Sequence, residues 1–332
     1  MSKILLIGGA GYIGTVISHY FLKKGFKVSC IDNLIYKHRL GVETLIFNQS
    51  FDFHLLNFND TSKLKEIAED ASSCIFLGGL VGDPITKKYP ELSITINEHS
   101  ILKALNALNE TGLKRLIFIS TCSNYGMQKH DELATEETEL NPLSLYAKSK
   151  VKIEKFILEN CGSFSFCPTI LRFATAFGLS PRMRFDLTVN EFARTLMIDK
   201  KLEVFDAHTW RPYCHVNDFA RLIDITLAAE TSIVEGQVFN AGGAINNHTK
   251  LSVVEAIKKY VPDTEITYVE NGNDPRNYRV DFGKVEKKLN FTPSYTIDYG
   301  IKQIIEALNQ GFYHNIDNNI EQYGNYQIEK FK

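Results

Sequence analysis

A chain of 332 residues holds enough material for two domains, or for one large domain with an appended lobe. Its 44% hydrophobic and 23% charged content is that of a soluble globular protein, and a formal net charge of −2 with mixed signs excludes a broad basic face for nucleic acid. No apolar run reaches the roughly 18 residues of a membrane span, and Met1 leads straight into a strand pattern, so neither a span nor a secretory signal is expected and the reading is a cytoplasmic protein.

The apolar run 3–7 predicts a buried parallel strand. Gly8, Gly11 and Gly14 follow at three-residue spacing. Ile13, Val16, Ile17, Phe21 and Leu22 then recur with helical period as far as Gly25, and a second strand over 26–31 stops at Asp32. In this order each glycine has a task. Gly8 permits a tight turn, Gly11 lets the backbone approach a pyrophosphate, and Gly14 lets the helix pack closely on the sheet. The helix N-terminus offers free N–H groups to phosphates. Asp32 can accept hydrogen bonds from the adenine-ribose hydroxyls and would repel a 2′-phosphate, which predicts NAD rather than NADP.

The alternation continues with strands over 51–58 and 73–79 around a helix over 61–70, then a helix over 98–112 and a strand over 113–120. This predicts an α/β fold, a Rossmann-type doubly wound parallel sheet built of right-handed βαβ units. Ligands of such sheets sit beyond the carboxyl ends of the strands, which here carry "GGAGYIG", "DNL", "GGLVG" and "STCSNYG". A long helix then bears Tyr146 and Lys150. The same Tyr-x-x-x-Lys spacing recurs at Tyr20/Lys24, Tyr125/Lys129 and Tyr326/Lys330, so spacing alone decides nothing. Tyr125 and Lys129 also follow the strand ending in Ser/Thr, but Gly126 lies between them and no helical pattern supports them; Tyr146 and Lys150 alone follow it on a long helix. From Leu171 onward connections lengthen. Helices are expected over 187–201 and 216–230, a strand returning to the sheet over 237–243, and a surface-lying or mobile tail over 314–327. The division expected is a cofactor domain over 1–170 with a returning segment near 211–245. A smaller, discontinuous C-terminal α/β substrate-binding lobe covers 171–210 and 246–332.

Taken together, "GGAGYIG" (8–14), "DNL" (32–34), "STCSNYG" (120–126), "YAKSK" (146–150), "LRFATAFG" (171–178) and "RPYCHVND" (211–218) resemble the extended short-chain dehydrogenase/reductase superfamily, in its NAD-dependent epimerase/dehydratase branch acting on nucleotide sugars. The resemblance covers most of the chain. It implies Tyr146 as the base that takes a sugar hydroxyl proton, Lys150 as its activator and Thr121 as a second hydrogen-bonding partner of that hydroxyl. A free tyrosine has a pKa near 10, and lowering it by about three units needs about 4 kcal/mol of phenolate stabilisation, which an ammonium and a positive nicotinamide can supply. The resemblance further implies cofactor contacts at Gly8, Gly11, Tyr12, Ile13, Gly14, Asp32, Asn33, Leu34, Asn57, Phe58, Leu77, Gly78 and Gly79. Asn57 stands where the family commonly has Asp near the adenine. Substrate contacts are implied at Thr121, Ser123, Thr175, Arg182, Arg184, Arg211 and Arg276, with Arg279 in a similar loop-like context. Guanidinium groups suit a diphosphate in an otherwise near-neutral chain.

The family's 4,6-dehydratases place Asp and Glu directly after the threonine; Cys122 and Ser123 here disfavour dehydration. Cys122 reads as a small buried residue. What remains is oxidation at a ring carbon, most often C4, by a 4-dehydrogenase or a 4-epimerase. Thr175 and Val81 depart from the galactose-epimerase pattern of Asn and Lys, and "GLSPRMRFDLTVNEF" is similar to bacterial surface-polysaccharide enzymes, including GDP-heptose 4-dehydrogenases. The alternatives are a 4-ketoreductase, or a catalytically silent NAD sensor or scaffold on the same fold. No metal constellation is visible, His215 reads as structural, and the six cysteines lack zinc or Cys-x-x-Cys spacing, as reduced core residues would. A homodimer through 98–110 and 146–160 is implied by the resemblance.

Overall fold

A computed structural model describes residues 2–36, 39–128, 132–270, 276–313 and 317–328. Seven parallel strands form the central sheet: β1 (Lys3–Ile7), β2 (Lys27–Asp32), β3 (Phe51–Leu55), β4 (Ser73–Phe76), β5 (Arg115–Thr121), β6 (Cys167–Phe173) and β7 (Gln237–Ala241). Their spatial order is β7-β6-β5-β4-β1-β2-β3. The principal helices are α1 (Tyr12–Lys23), α2 (Thr61–Ala68), α3 (Ile101–Leu108), α4 (Leu145–Glu159), α5 (Thr188–Ile198), α6 (Val216–Ala228), α7 (Lys250–Lys258) and α8 (Ile297–Asn309).

Period-two alternation sends the strand side chains to two cores. Ile4, Leu6, Val28, Cys30, Ile75 and Ile117 face Ile17 and Phe21 of α1 and Phe219 and Ile223 of α6. Leu5, Ile7, Ile31, Cys74, Phe76 and Phe118 face Leu64 of α2, Leu105 of α3 and Ile153 of α4. Each such fully buried side chain contributes about 1.5–3 kcal/mol. Burial on both faces is why these strands read as continuous apolar runs. Element ends shift by a few residues from the sequence expectation: α3 is preceded by a π-helical stretch, Thr95–Ser100, and the strand expected over 51–58 ends at Leu55.

The remaining strands build the far side of the cleft. Trp210–His215 pairs in parallel with Thr175–Phe177 and antiparallel with Asn247–Thr249, outside the central sheet. Arg211 and Arg279 therefore lie on short strands rather than in loops. Lys201–Phe205 pairs with Glu265–Val269, and Leu133–Ala134 with Arg279–Val280. Residue 170 falls inside β6, so the chain crosses to the far side only after Phe173. Among the described residues no helix is long and apolar enough to cross a membrane.

Candidate active site

The strand order reverses between β1 and β4, and there the loops after the two strands touch. A Cβ on Gly8, whose φ is +79°, would lie 2.6 Å from Gly78 Cα, so only glycine fits. A Cβ on Gly14 would lie 2.5 Å from Gly9 O, which shows how closely α1 packs on the turn. Gly11 caps α1 with no side-chain hydrogen bond, and no acid stands in the first turn. That helix N-terminus is left free for an anion. Across the turn, Asp32 accepts from Ala10 N at 3.0 Å and Leu34 N at 2.8 Å. Burial raises its pKa, and the two N–H groups pull it back.

A cavity of about 500 Å³ runs from this turn to α4. It is lined by Gly8, Gly11, Tyr12, Ile13, Gly14, Asp32, Asn33, Leu34, Phe58, Leu77, Gly78 and Gly79 at one end. Thr121, Ser123, Tyr146, Lys150, Thr175, Arg182, Arg184, Arg211 and Arg276 line the same cavity. Of the implied contacts, Asn57 lies elsewhere, in an adjoining cavity with Asn33 and Ile96, its side-chain oxygen accepting from Asn59 N, and Arg279 lies over the Trp210 ring at 5.2 Å, outside the lining.

Ser144 caps α4 by accepting from Ala147 N at 3.2 Å, which starts the helix just before Tyr146. Thr121 ends β5, and its hydroxyl accepts from Ser123 N at 3.1 Å. Lys150 is 3% exposed, donates to Ile119 O at 2.7 Å, and lies 5.9 Å from the centroid of the Tyr146 ring. Burial lowers its pKa to about 8, against a pull upward from Glu154. Burial, reinforced by the charge of Asp83, pushes the Tyr146 phenol well above its ordinary value, and Arg184 opposes this. Among the described residues, then, the phenol and ammonium share a wall of the cavity with no carboxylate ion-paired to the ammonium.

The other Tyr-x-x-x-Lys matches lie differently. Tyr20 and Lys24 both donate to Asp224, sealing α1 to α6. Lys129 and Lys330 lie outside the described residues. Cys122 is buried, its thiol donating to Arg172 O at 3.1 Å, and burial pushes its pKa far up. His215 is fully buried: Nδ1 accepts from Asn217 N to cap α6, and Nε2 meets Gln303 Oε1. All six cysteines are free, and no metal-holding cluster exists among the described residues.

Several cavity residues escaped sequence reading. Asp83 pairs with Arg276 at 2.9 Å through Oδ2, while its Oδ1 is enclosed without a partner. Arg276 also reaches Ser123 Oγ at 3.4 Å, and Arg211 lies over Tyr278 at 5.5 Å. The "DP" directly after "GGLVG", at the end of a strand loop, was the available signal for Asp83. The tail expected over 314–327 is corrected in part: 314–316 lie outside the described residues, and 317–327, though several are exposed, are tied to the body of the protein. Residues 317–323 form a 3₁₀ helix, Phe185 N donates to Tyr323 O at 2.6 Å, and the Tyr323 ring packs on Phe185 and Tyr313. Asn325 is 9% exposed and Tyr326 lines the cavity.

A profile of the NAD dependent epimerase/dehydratase family matches residues 4–242. The chain belongs to that family. Its cofactor is NAD, and the glycine turn, the free helix N-terminus and Asp32 fit that group. Similar relatives of this epimerase/dehydratase chain include a UDP-glucuronate 4-epimerase of Thermodesulfobacterium geofontis, 24% identical over 92% of this chain and 95% of that protein. A UDP-glucose 4-epimerase of Lactobacillus helveticus is 26% identical over 88% and 92%. Among solved structures, the UDP-glucuronic acid 4-epimerase of Bacillus cereus, in complex with UDP-glucuronic acid and NAD, superposes with a TM-score of 0.80 over 93% of this chain and 99% of its own at 23% identity. The dTDP-glucose 4,6-dehydratase of Bacillus anthracis does so with 0.82 over 96% and 98% at 24% identity. These likenesses establish the fold; which reaction the cavity runs rests on its own residues.

Proposed function

We propose that this protein oxidises C4 of a nucleotide-diphosphate sugar, as a nucleotide-sugar 4-epimerase or 4-dehydrogenase. The observation that carries the reading is the meeting of Tyr146, Lys150 and Thr121 on one cavity with the cofactor turn. Bound NAD supplies the hydride acceptor and a positive ring. Tyr146 takes the proton of the sugar hydroxyl, and Thr121 holds that hydroxyl in line. The Lys150 ammonium, fixed by Ile119 O, stabilises the phenolate across a desolvated wall. Arg211 and Arg276 suit the sugar nucleotide's diphosphate at the far end, beside Ser123 and Tyr278.

Dehydration lacks its acids at the two positions after Thr121. Cys122 points its thiol into the protein, and Ser123 offers only a hydroxyl near Tyr278. The test is turnover of a panel of UDP-, GDP-, CDP- and dTDP-sugars, GDP-heptose among them, read by cofactor absorbance and by NMR of the product. A 4-keto sugar with reduced cofactor identifies a dehydrogenase; a C4 epimer without net reduction identifies an epimerase. A 6-deoxy-4-keto product, or turnover unchanged in Tyr146→Phe, would overturn the reading.

A further inference from the structure

Arg182 is 4% exposed, yet among the described residues no carboxylate pairs with it. Its acceptors are Asn325 Oδ1 at 2.7 Å and Gly324 O at 3.3 Å, both on Nη2. Nε is enclosed without a partner, which leaves Nη1 for the cavity that Arg182 lines. A buried cation without a paired counter-ion is costly: burial together with the charge of Arg184 lowers its pKa to about 9, against an upward pull from Asp186, Tyr36 and Asp32 at longer range. The neighbouring arginines are satisfied. Arg172 grips Glu154, and Arg184 grips Asp186 through two hydrogen bonds at 2.8 and 2.7 Å.

The missing anion belongs to one end of the cavity. Arg182 lies over the Tyr36 ring at 5.8 Å, and a Cβ on Gly41 would meet both Thr15 Cγ2 at 2.7 Å and Arg182 Cβ at 2.9 Å. Ser180, two residues earlier, donates to Tyr12 O at 2.6 Å and meets the Thr15 hydroxyl at 3.1 Å. This loop therefore sits on the first turn of α1, beside the free N–H groups. Arg211 and Arg276 have different partners, Tyr278 for the first and Ser123 and Asp83 for the second.

Asn325 fixes the guanidinium from behind. Its carboxamide accepts from Arg182 and donates to Val81 O at 3.2 Å, and its N–H donates to Asp186 at 3.0 Å. We propose that Arg182, positioned by Asn325 of the C-terminal segment, binds the cofactor's pyrophosphate over the N-terminus of α1, and does not serve the substrate's diphosphate. This rests on NAD binding and not on which sugar is oxidised, so it stands or falls apart from the C4 reading.

The test is calorimetric titration of the full-length protein, freed of nucleotide, with NAD⁺, ADP-ribose, adenosine and UDP. Arg182→Gln should weaken NAD⁺ and ADP-ribose about 10- to 100-fold, the range of one charge-assisted contact, and leave adenosine and UDP unchanged. Weakened UDP with unchanged NAD⁺ would return Arg182 to the substrate. No change in any ligand, or adenosine weakened as much as ADP-ribose, would equally overturn the proposal. Asn325→Ala should weaken ADP-ribose about 3- to 10-fold and add nothing further in the Arg182→Gln background; additive losses would remove its positioning role. Should Arg182→Gln fail to fold, Asn325→Ala decides alone: ADP-ribose weakened with adenosine unchanged supports the proposal, and undiminished ADP-ribose refutes it.

Discussion

Two charged groups one turn apart on α4 meet opposite fates. Glu154, 1% exposed, accepts from Arg172 Nη2 at 2.7 Å and Nε at 3.1 Å, from Asn124 at 2.8 Å and from the Ser120 hydroxyl. Arg172 in turn donates to Tyr125, whose hydroxyl reaches Asn240 at 2.7 Å. This block ties β5, β6, β7 and α4 together with every charge answered inside the protein. Lys150, equally buried, has one backbone carbonyl and faces the cavity with Tyr146. The difference separates charges that hold the fold from charges that wait for a ligand. Burial alone does not tell them apart; the presence of an internal counter-ion does.

The largest effect expected is on chemistry. Tyr146→Phe should reduce turnover about 1,000-fold, equivalent to about 4 kcal/mol, with NAD still bound and the melting temperature unchanged. Near-normal turnover would place the base elsewhere. On the structural side, Glu154→Ala should cost about 3–5 kcal/mol in denaturant unfolding, because it strands the buried Arg172 cation. A stable Glu154→Ala protein would dissolve the contrast.

Lys150→Met should lower turnover about 100-fold without loss of stability, since the cation it removes is desolvated and without an internal carboxylate partner. The sign of its pH dependence sharpens the point. Lys150 titrates at about 8 in the fold against its ordinary 10.5, so between these values the unfolded chain holds the extra proton. Wild-type stability relative to Lys150→Met should therefore rise as pH climbs from about 8 to 10.5, and the penalty should be complete below pH 8. A flat difference across that window would mean the ammonium is better solvated than its surroundings imply. Smallest of all, Tyr20→Phe should leave turnover unchanged and cost under about 1 kcal/mol, because that tyrosine joins a partly exposed seam with Asp224.

Much of this was legible in the chain. The glycine turn, the strand runs and Asp32 declare a doubly wound sheet because both faces of each strand are buried and the period changes cleanly between strand and helix. Tyr146 stood out from three equal matches because a strand ending in Ser120 and Thr121 precedes its helix. The polar end of the chain misled, and for a physical reason. Asn325 reads as solvent-exposed locally, yet its partners are Val81, Arg182 and Asp186, between 139 and 244 residues away. Asp83 was hidden in the same way, its partner Arg276 lying across the cleft. Local pattern reports which face is buried; it does not report which distant loop covers a site.

The most direct measurement is the fate of deuterium placed at C4 of each nucleotide sugar, followed by mass spectrometry of the cofactor and the product. Tyr146 and Lys150 acting at C4 predict label in the nicotinamide ring beside a 4-keto sugar, or label returned to C4 of the inverted epimer, with the wild-type protein, and neither with Tyr146→Phe. Deuterium washed out of C4 into solvent, or a product formed with the C4 label and configuration both untouched, would contradict the account.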